Sequence, residues 1–290
     1  MISLQSLSYY DEAVSFSLPG KETMQLSVRR FDRLHPEISG NKWFKLQDWL
    51  SDVSKEDVVL SFGGAYSNHL LALSAAGKEL GIKTIGIVRG EEVINSWNST
   101  MRKNGMLLHF VSREAYRLKS QESFIKDIQK QFGKCLIVPE GGAGEPGISG
   151  AMGMVNDVEL HDWIVLPGGT GTSAAGIAKK LQNCSCKVIC FQVLKGDSIL
   201  KNELKETSGF DVENFPNLQI DCKYHFGGYA KLNEELKGFQ KEWIEQTAVP
   251  IDLIYGVKAL YGLYEKFQLG ILGENPRLLY IHTGGLGPEN

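Results

Sequence analysis

Along the chain, short runs of β-branched and apolar residues alternate with longer stretches in which apolar positions recur at helical spacing. The short runs fall at 26–31, 58–62, 84–88, 107–111, 136–138, 163–166, 188–193 and 278–281. Most read as strands covered on both faces, because apolar residues occupy consecutive positions and do not alternate with polar ones. The helical spacings fall at 42–51, 68–80, 120–132, 173–182 and 230–246. Strand alternating with helix predicts parallel sheets joined by helical crossovers. One such set covers about 45–150 and a second follows it, with a glycine-rich passage at 140–153 between them. The run at 26–31 precedes the first set, so it is expected to join the second sheet. The expected fold class is therefore α/β with two open parallel-sheet domains. The larger is formed by 1–44 and 154–290, and the smaller is inserted at 45–153. A cleft between them is the expected ligand site.

Composition narrows the function classes. The 290 residues carry 34 acids against 31 bases, a formal charge of -3, so no basic surface is available to bind nucleic acid. No apolar run approaches the roughly 20 residues that span a bilayer, and the chain does not open on a basic stretch followed by an apolar one. A cytoplasmic protein with no membrane partner is expected. Five cysteines, odd in number and sparse, read as reduced thiols. Cys184, Cys186 and Cys190 lack zinc-knuckle spacing and a nearby His, so no metal is expected.

Four segments carry candidate chemistry. Val165 to Gly176 is a strand, a loop of glycines and hydroxyls (Gly168, Gly169, Thr170, Gly171, Thr172, Ser173), and a helix start. Backbone N–H groups, hydroxyls and the positive helix end converge in such a loop on one anion. It lacks the Gly-Lys-Ser/Thr of a Walker loop, and Lys195 stands where a dinucleotide fold favours an acid, so a monophosphate fits better. In Gly63-Gly64-Ala65-Tyr66-Ser67-Asn68-His69, Ser67 and Asn68 sit where helix caps belong, and capping and ligand contact remain equally open. His282-Thr283-Gly284-Gly285 follows the last strand, as a turn or a close approach to a ligand. In Gly40-Asn41-Lys42-Trp43-Phe44-Lys45 a lysine stands at a helix start. The helix dipole and burial would both depress its basicity, which suits an amine that forms an imine; a solvated lysine is the plainer alternative.

In order and spacing these segments resemble the 1-aminocyclopropane-1-carboxylate (ACC) deaminase and D-cysteine desulfhydrase family, pyridoxal 5'-phosphate (PLP) enzymes of the tryptophan synthase β-like fold type II. The likeness spans nearly the whole chain. It rests on 28–32, Gly40-Asn41-Lys42 with Lys45-Leu46, Gly63-Gly64 with Ser67-Asn68, the Gly168 to Ser173 loop, Gly228-Tyr229, 255–259 and 282–285. The resemblance implies that PLP lies in the interdomain cleft, attached to Lys42. Lys45, a few residues on, ranks second. It implies that Asn68 bonds the phenolate oxygen, that the Gly169 to Ser173 loop holds the phosphate, and that Thr283 meets the pyridine nitrogen. Ser67, Tyr229 and Tyr255 then face the substrate. A homodimer is implied as well.

The activity expected is a PLP-dependent lyase or deaminase that converts a small amino acid to a keto acid and ammonia by β-elimination, like D-cysteine desulfhydrase. Gly256 stands where ACC deaminases carry a glutamate, and no carboxylate is evident to protonate the pyridine nitrogen. A neutral pyridine is a weaker electron sink, which suits loss of a thiolate better than ring opening. ACC deamination is the alternative within the family. A nicotinamide-dependent oxidoreductase is the alternative outside it, and a PLP-binding protein without turnover is a third.

Overall fold

The computed structural model describes residues 9–156, 158 and 160–288; residues 1–8 of the expected larger unit, and 157, 159, 289 and 290, lie outside the described residues. The chain runs through β1 (Asp11–Phe16), β2 (Met24–Arg29), α1 (Asn41–Trp49), β3 (Val58–Gly64), α2 (Asn68–Leu80), β4 (Lys83–Arg89) and α3 (Ser96–Lys103). It continues through β5 (Leu107–Val111), α4 (Arg113–Arg117), α5 (Glu122–Phe132), β6 (Leu136–Val138), α6 (Glu145–Ala151), β7 (Trp163–Gly168) and α7 (Thr172–Lys180). The last elements are β8 (Lys187–Gln192), α8 (Ile199–Ser208), β9 (Leu218–Asp221), α9 (Glu234–Thr247), α10 (Gly256–Gln268) and β10 (Leu278–Ile281).

Two sheets result. The larger has the order β1-β2-β10-β7-β8-β9 and the smaller β5-β4-β3-β6. Every pairing is parallel except the β1–β2 hairpin. Parallel strands need crossovers, and these place helices on both faces of each sheet. One apolar cluster extends from the smaller sheet to the larger: Val59 and Leu70 belong to it, as do Ile148 and Ala151 of α6 and Ile164 and Leu166 of β7. The opposite face of the larger sheet packs Phe16, Trp243, Leu260 and Tyr280. The outer face of the smaller packs Leu60, Ile87, Tyr116 and Ile128.

The glycine-rich passage departs from its reading as a connection. Its centre is the helix α6, whose glycines serve contact with neighbouring helices. A Cβ at Gly150 would stand 2.1 Å from the Phe44 carbonyl oxygen of α1. Helix α6 therefore lies hard against the helix that begins at Asn41, and fixes where that helix points. The helix expected from 230 starts only at Glu234, because Ala230 has a φ of +54° and Asn233 caps the first turn by accepting from the Leu236 N–H.

Candidate active site

Both sheets aim the C-terminal ends of their strands at one cavity of about 410 Å³, the usual place for a ligand in open α/β sheets. β3 contributes Gly64, β4 Arg89, β7 the loop from Gly168, and β10 the Thr283–Gly285 turn. Lys42, Ser67, Asn68, Gly168, Gly169, Thr170, Gly171, Thr172, Ser173, Tyr229, Tyr255 and Thr283 all line it. The residues singled out in the sequence are thus brought together.

Lys42 is the second residue of α1. The turn before it requires glycine: Gly40 has a φ of +66°, and a Cβ there would lie 1.9 Å from the Thr283 carbonyl oxygen. That contact presses the start of α1 onto the last loop of the chain. Lys42 Nζ donates to Asn41 Oδ1 at 2.5 Å, and Asn41 Nδ2 donates to Ser173 Oγ at 2.9 Å, which ties the lysine to the glycine loop. Desolvation lowers the Lys42 ammonium to about 8, against a smaller opposing pull from Asp252.

Lys45, one helical turn on, is 3% exposed, and no hydrogen bond or ion pair to its amine occurs among the described residues. Its Nζ lies 3.9 Å from the point where a Cβ on Gly141 would sit, and that same point is 3.5 Å from Thr170 Oγ1. Burial, and then the charge of Lys42, push its basicity well down. The sequence offers Lys45 only as a second attachment point and describes the anion loop without a lysine; the structure instead stands a buried amine beside that loop. The i, i+3 spacing of Lys42 and Lys45 was the readable sign. Thr170 and Thr172 bond to each other through their hydroxyls at 3.0 Å.

Across the cavity Ser67 caps α2, accepting from the Leu70 N–H at 3.2 Å. Capping engages its lone pair and leaves its proton free to donate, so capping and ligand contact are compatible. Asn68 Oδ1 accepts from Trp97 Nε1–H at 3.0 Å, which turns the Nδ2 group toward the Gly285 carbonyl at 3.4 Å. Nothing in the sequence marked Trp97. His69 is buried; because Ser61 Oγ donates to the Val138 carbonyl, it accepts from His69 Nε2–H, which leaves His69 Nδ1 a bare acceptor with no partner among the described residues. Burial, Lys45 and Lys42 hold this imidazole neutral, well below its ordinary value.

The Tyr229 and Tyr255 rings meet edge to face at 5.9 Å, and desolvation raises both phenols. Arg89, Glu203 and the Lys119–Glu140 pair, 3.3 Å apart, add further charge to the lining. None of them was singled out in the sequence, although Arg89 ends a parallel strand. A carboxylate stands close behind the Thr283–Gly285 turn. Asp252 Oδ2 lies 3.7 Å from the Cβ position of Gly285, just outside the cavity wall. Its oxygens accept the N–H groups of Ile254, Tyr255 and Gly256, and desolvation raises its carboxyl despite them.

No family model matches the chain. It is 28% identical over 277 residues to a Pyrococcus horikoshii protein provisionally named 1-aminocyclopropane-1-carboxylate deaminase, covering 89% of this chain and 84% of that one. It is 26% identical to the mitochondrial bifunctional D-cysteine desulfhydrase/1-aminocyclopropane-1-carboxylate deaminase of Arabidopsis thaliana, covering 93% and 75%. The crystal structure of an ACC deaminase homologue superposes with a TM-score of 0.78 at 26% identity, over 98% of this chain and 91% of that one. By sequence and by fold, the chain is a homologue of the proteins named ACC deaminase and D-cysteine desulfhydrase, with the fold type II architecture of PLP enzymes.

Proposed function

We propose that this protein is a PLP-dependent lyase that eliminates a β-substituent from a small amino acid, in the manner of D-cysteine desulfhydrase. The observation that carries the reading is the pair of desolvated amines on one turn of α1, one at the Gly-Asn turn and one at the anion loop. A buried ammonium without a counter-ion is costly, and a phosphate on the Gly168–Ser173 loop would be the missing partner of Lys45. The residues therefore fit PLP. In this reading Lys42 carries the cofactor, while Thr170, Thr172, Ser173 and Lys45 hold its phosphate. Asn68, aimed by Trp97, meets the phenolate oxygen, and Thr283 the pyridine nitrogen. The larger unit, 1–44 with 154–290, supplies the phosphate loop; the inserted 45–153 supplies the Ser67–Asn68 wall. The homodimer belongs to the same reading.

When bound, PLP supplies an electron sink for the charge left at Cα. The N–H groups opening α2, with the Ser67 hydroxyl, receive the substrate carboxylate. Lys42 Nζ, with its lowered basicity, takes the Cα proton. The Tyr229 and Tyr255 phenols stay protonated and donate to the departing sulfur as the Cβ–S bond breaks. Hydrolysis then yields keto acid and ammonia. A nicotinamide oxidoreductase would leave Lys42 and the Ser67–Asn68 pair without a task.

The test is a visible spectrum of the purified protein, followed by borohydride reduction and peptide mapping. The cofactor band is expected, with the reduced adduct on Lys42 and the band abolished in Lys42→Ala. An adduct on Lys45 would overturn the assignment. Turnover of D-cysteine and β-chloro-D-alanine is expected to exceed that of ACC; a clear preference for ACC would reverse the choice of reaction.

A further inference from the structure

Among the described residues Lys258 is the one lysine that is wholly buried (0% exposed) and yet outside the cavity. It stands three residues after Tyr255, the residue that caps the start of α10, so the two lie about one turn apart where that helix begins. Its Nζ pairs with no carboxylate among the described residues. It donates instead to two backbone carbonyls, His225 at 3.0 Å and Gly228 at 2.7 Å.

Those carbonyls belong to a segment in an uncommon conformation. Phe226 (φ +49°), Gly227 (+89°), Gly228 (+113°) and Ala230 (+54°) all lie in the left-handed region, two of them without the freedom of glycine. Such backbone persists where its surroundings over-determine it, and such places cluster at functional sites. Tyr229 sits inside this run, 42% exposed, its ring against Tyr255. The rest of the segment is held from below: Phe226 packs edge to face on Tyr261, and the Gly228 N–H bonds the His225 carbonyl at 2.9 Å. A carbonyl pair on one buried ammonium is a stronger tie than a neutral hydrogen bond, because the donor is charged and shielded from water.

We infer that Lys258 is a positioning residue, whose ammonium clamps the 225–230 segment so that Tyr229 is presented beside Tyr255 at the substrate side of the cavity. The start of α10, with the residue that caps it, thereby sets both phenols, one directly and one through the clamp. The inference deepens the lyase reading and rests on it for the role of Tyr229; the clamp itself rests on geometry alone.

The test uses the holoenzyme and Lys258→Met, with Lys258→Gln if the methionine variant does not fold. Amide hydrogen exchange at Gly228 and Lys231, without substrate, is expected to accelerate by about tenfold or more. The cofactor band and cofactor affinity are expected to remain as in the parent. The kcat is expected to fall by about tenfold in the parent background, and by less than about twofold once Tyr229 is already phenylalanine. Unchanged exchange would overturn the clamp. Accelerated exchange with a full second loss of rate in the Tyr229→Phe background would overturn its action through Tyr229. Absence of turnover in the parent protein would count against the lyase reading alone, since the exchange result stands without it.

Discussion

At the scale of the residue, two amines one turn apart are pushed in the same direction by loss of water, and this couples the site to the stability of the whole. Burial lowers the Lys42 amine from its ordinary 10.5 in the unfolded chain to about 8 in the folded one. Between those values the unfolded chain binds more protons, so raising pH across that window favours folding, and Lys45 acts in the same sense. The cofactor-free protein is therefore expected to gain urea resistance between pH 8 and pH 10, in the range bounded by the two values above. Lys42→Met is expected to be more stable than the parent at pH 8 and to show a flatter profile. A parent-like slope in that variant would assign the effect to other groups. Filling the site with PLP should erase much of the slope, since a phosphate gives Lys45 its counter-charge.

At the scale of the element, α2 shows one side chain serving two ends. Ser67 caps the helix and faces the cavity, and the two duties can be separated because aspartate also caps. Ser67→Ala is expected to cost about 1 kcal/mol of stability together with a loss of kcat. Ser67→Asp is expected to restore the stability and not the rate, because a carboxylate cannot donate and repels the carboxylate of the substrate. Recovery of both in the aspartate variant would make capping the whole role. Elements also mark what could be read from the chain. The core strands announce themselves through continuous apolar runs, as in β7, which is buried at every position. Helix α10 does not, because Gly256, Gly262 and several aromatics blur its period, and its start is set by Asp252 bonding three N–H groups. Helix α6 hides for the opposite reason. Its glycines look like loop chemistry, and only the 2.1 Å approach of Gly150 to the Phe44 carbonyl explains them. Lys42, Ser67 and the glycine loop were legible because motif spacing survives folding. Trp97 was not, because its role arises from Asn68, 29 residues away in the chain.

At the scale of the whole molecule, the apolar cluster that runs from Val59 and Leu70 through α6 to Ile164 and Leu166 makes the two sheets share an interior. Shared burial links their stabilities, so a single cooperative transition is expected in which far-UV circular dichroism and tryptophan fluorescence coincide. Trp97 lies on α3 and Trp243 on α9, so the fluorescence reports on both sheets. Two separated transitions would show that the common interior is energetically minor. The strand order carries one more consequence, for the making of the protein. Among the described residues β10 is synthesised after every other strand, yet it lies in the middle of the larger sheet, between β2 and β7. Until residue 281 has left the ribosome, β2 and its hairpin partner have no seat beside β7, and the turn carrying Thr283 does not exist. The smaller sheet, complete in sequence by residue 138, can form early, while the larger waits with its central strand missing. In the proposed PLP reading cofactor capture therefore waits for β10, and a nascent chain stalled before that strand presents the cell with an open sheet edge.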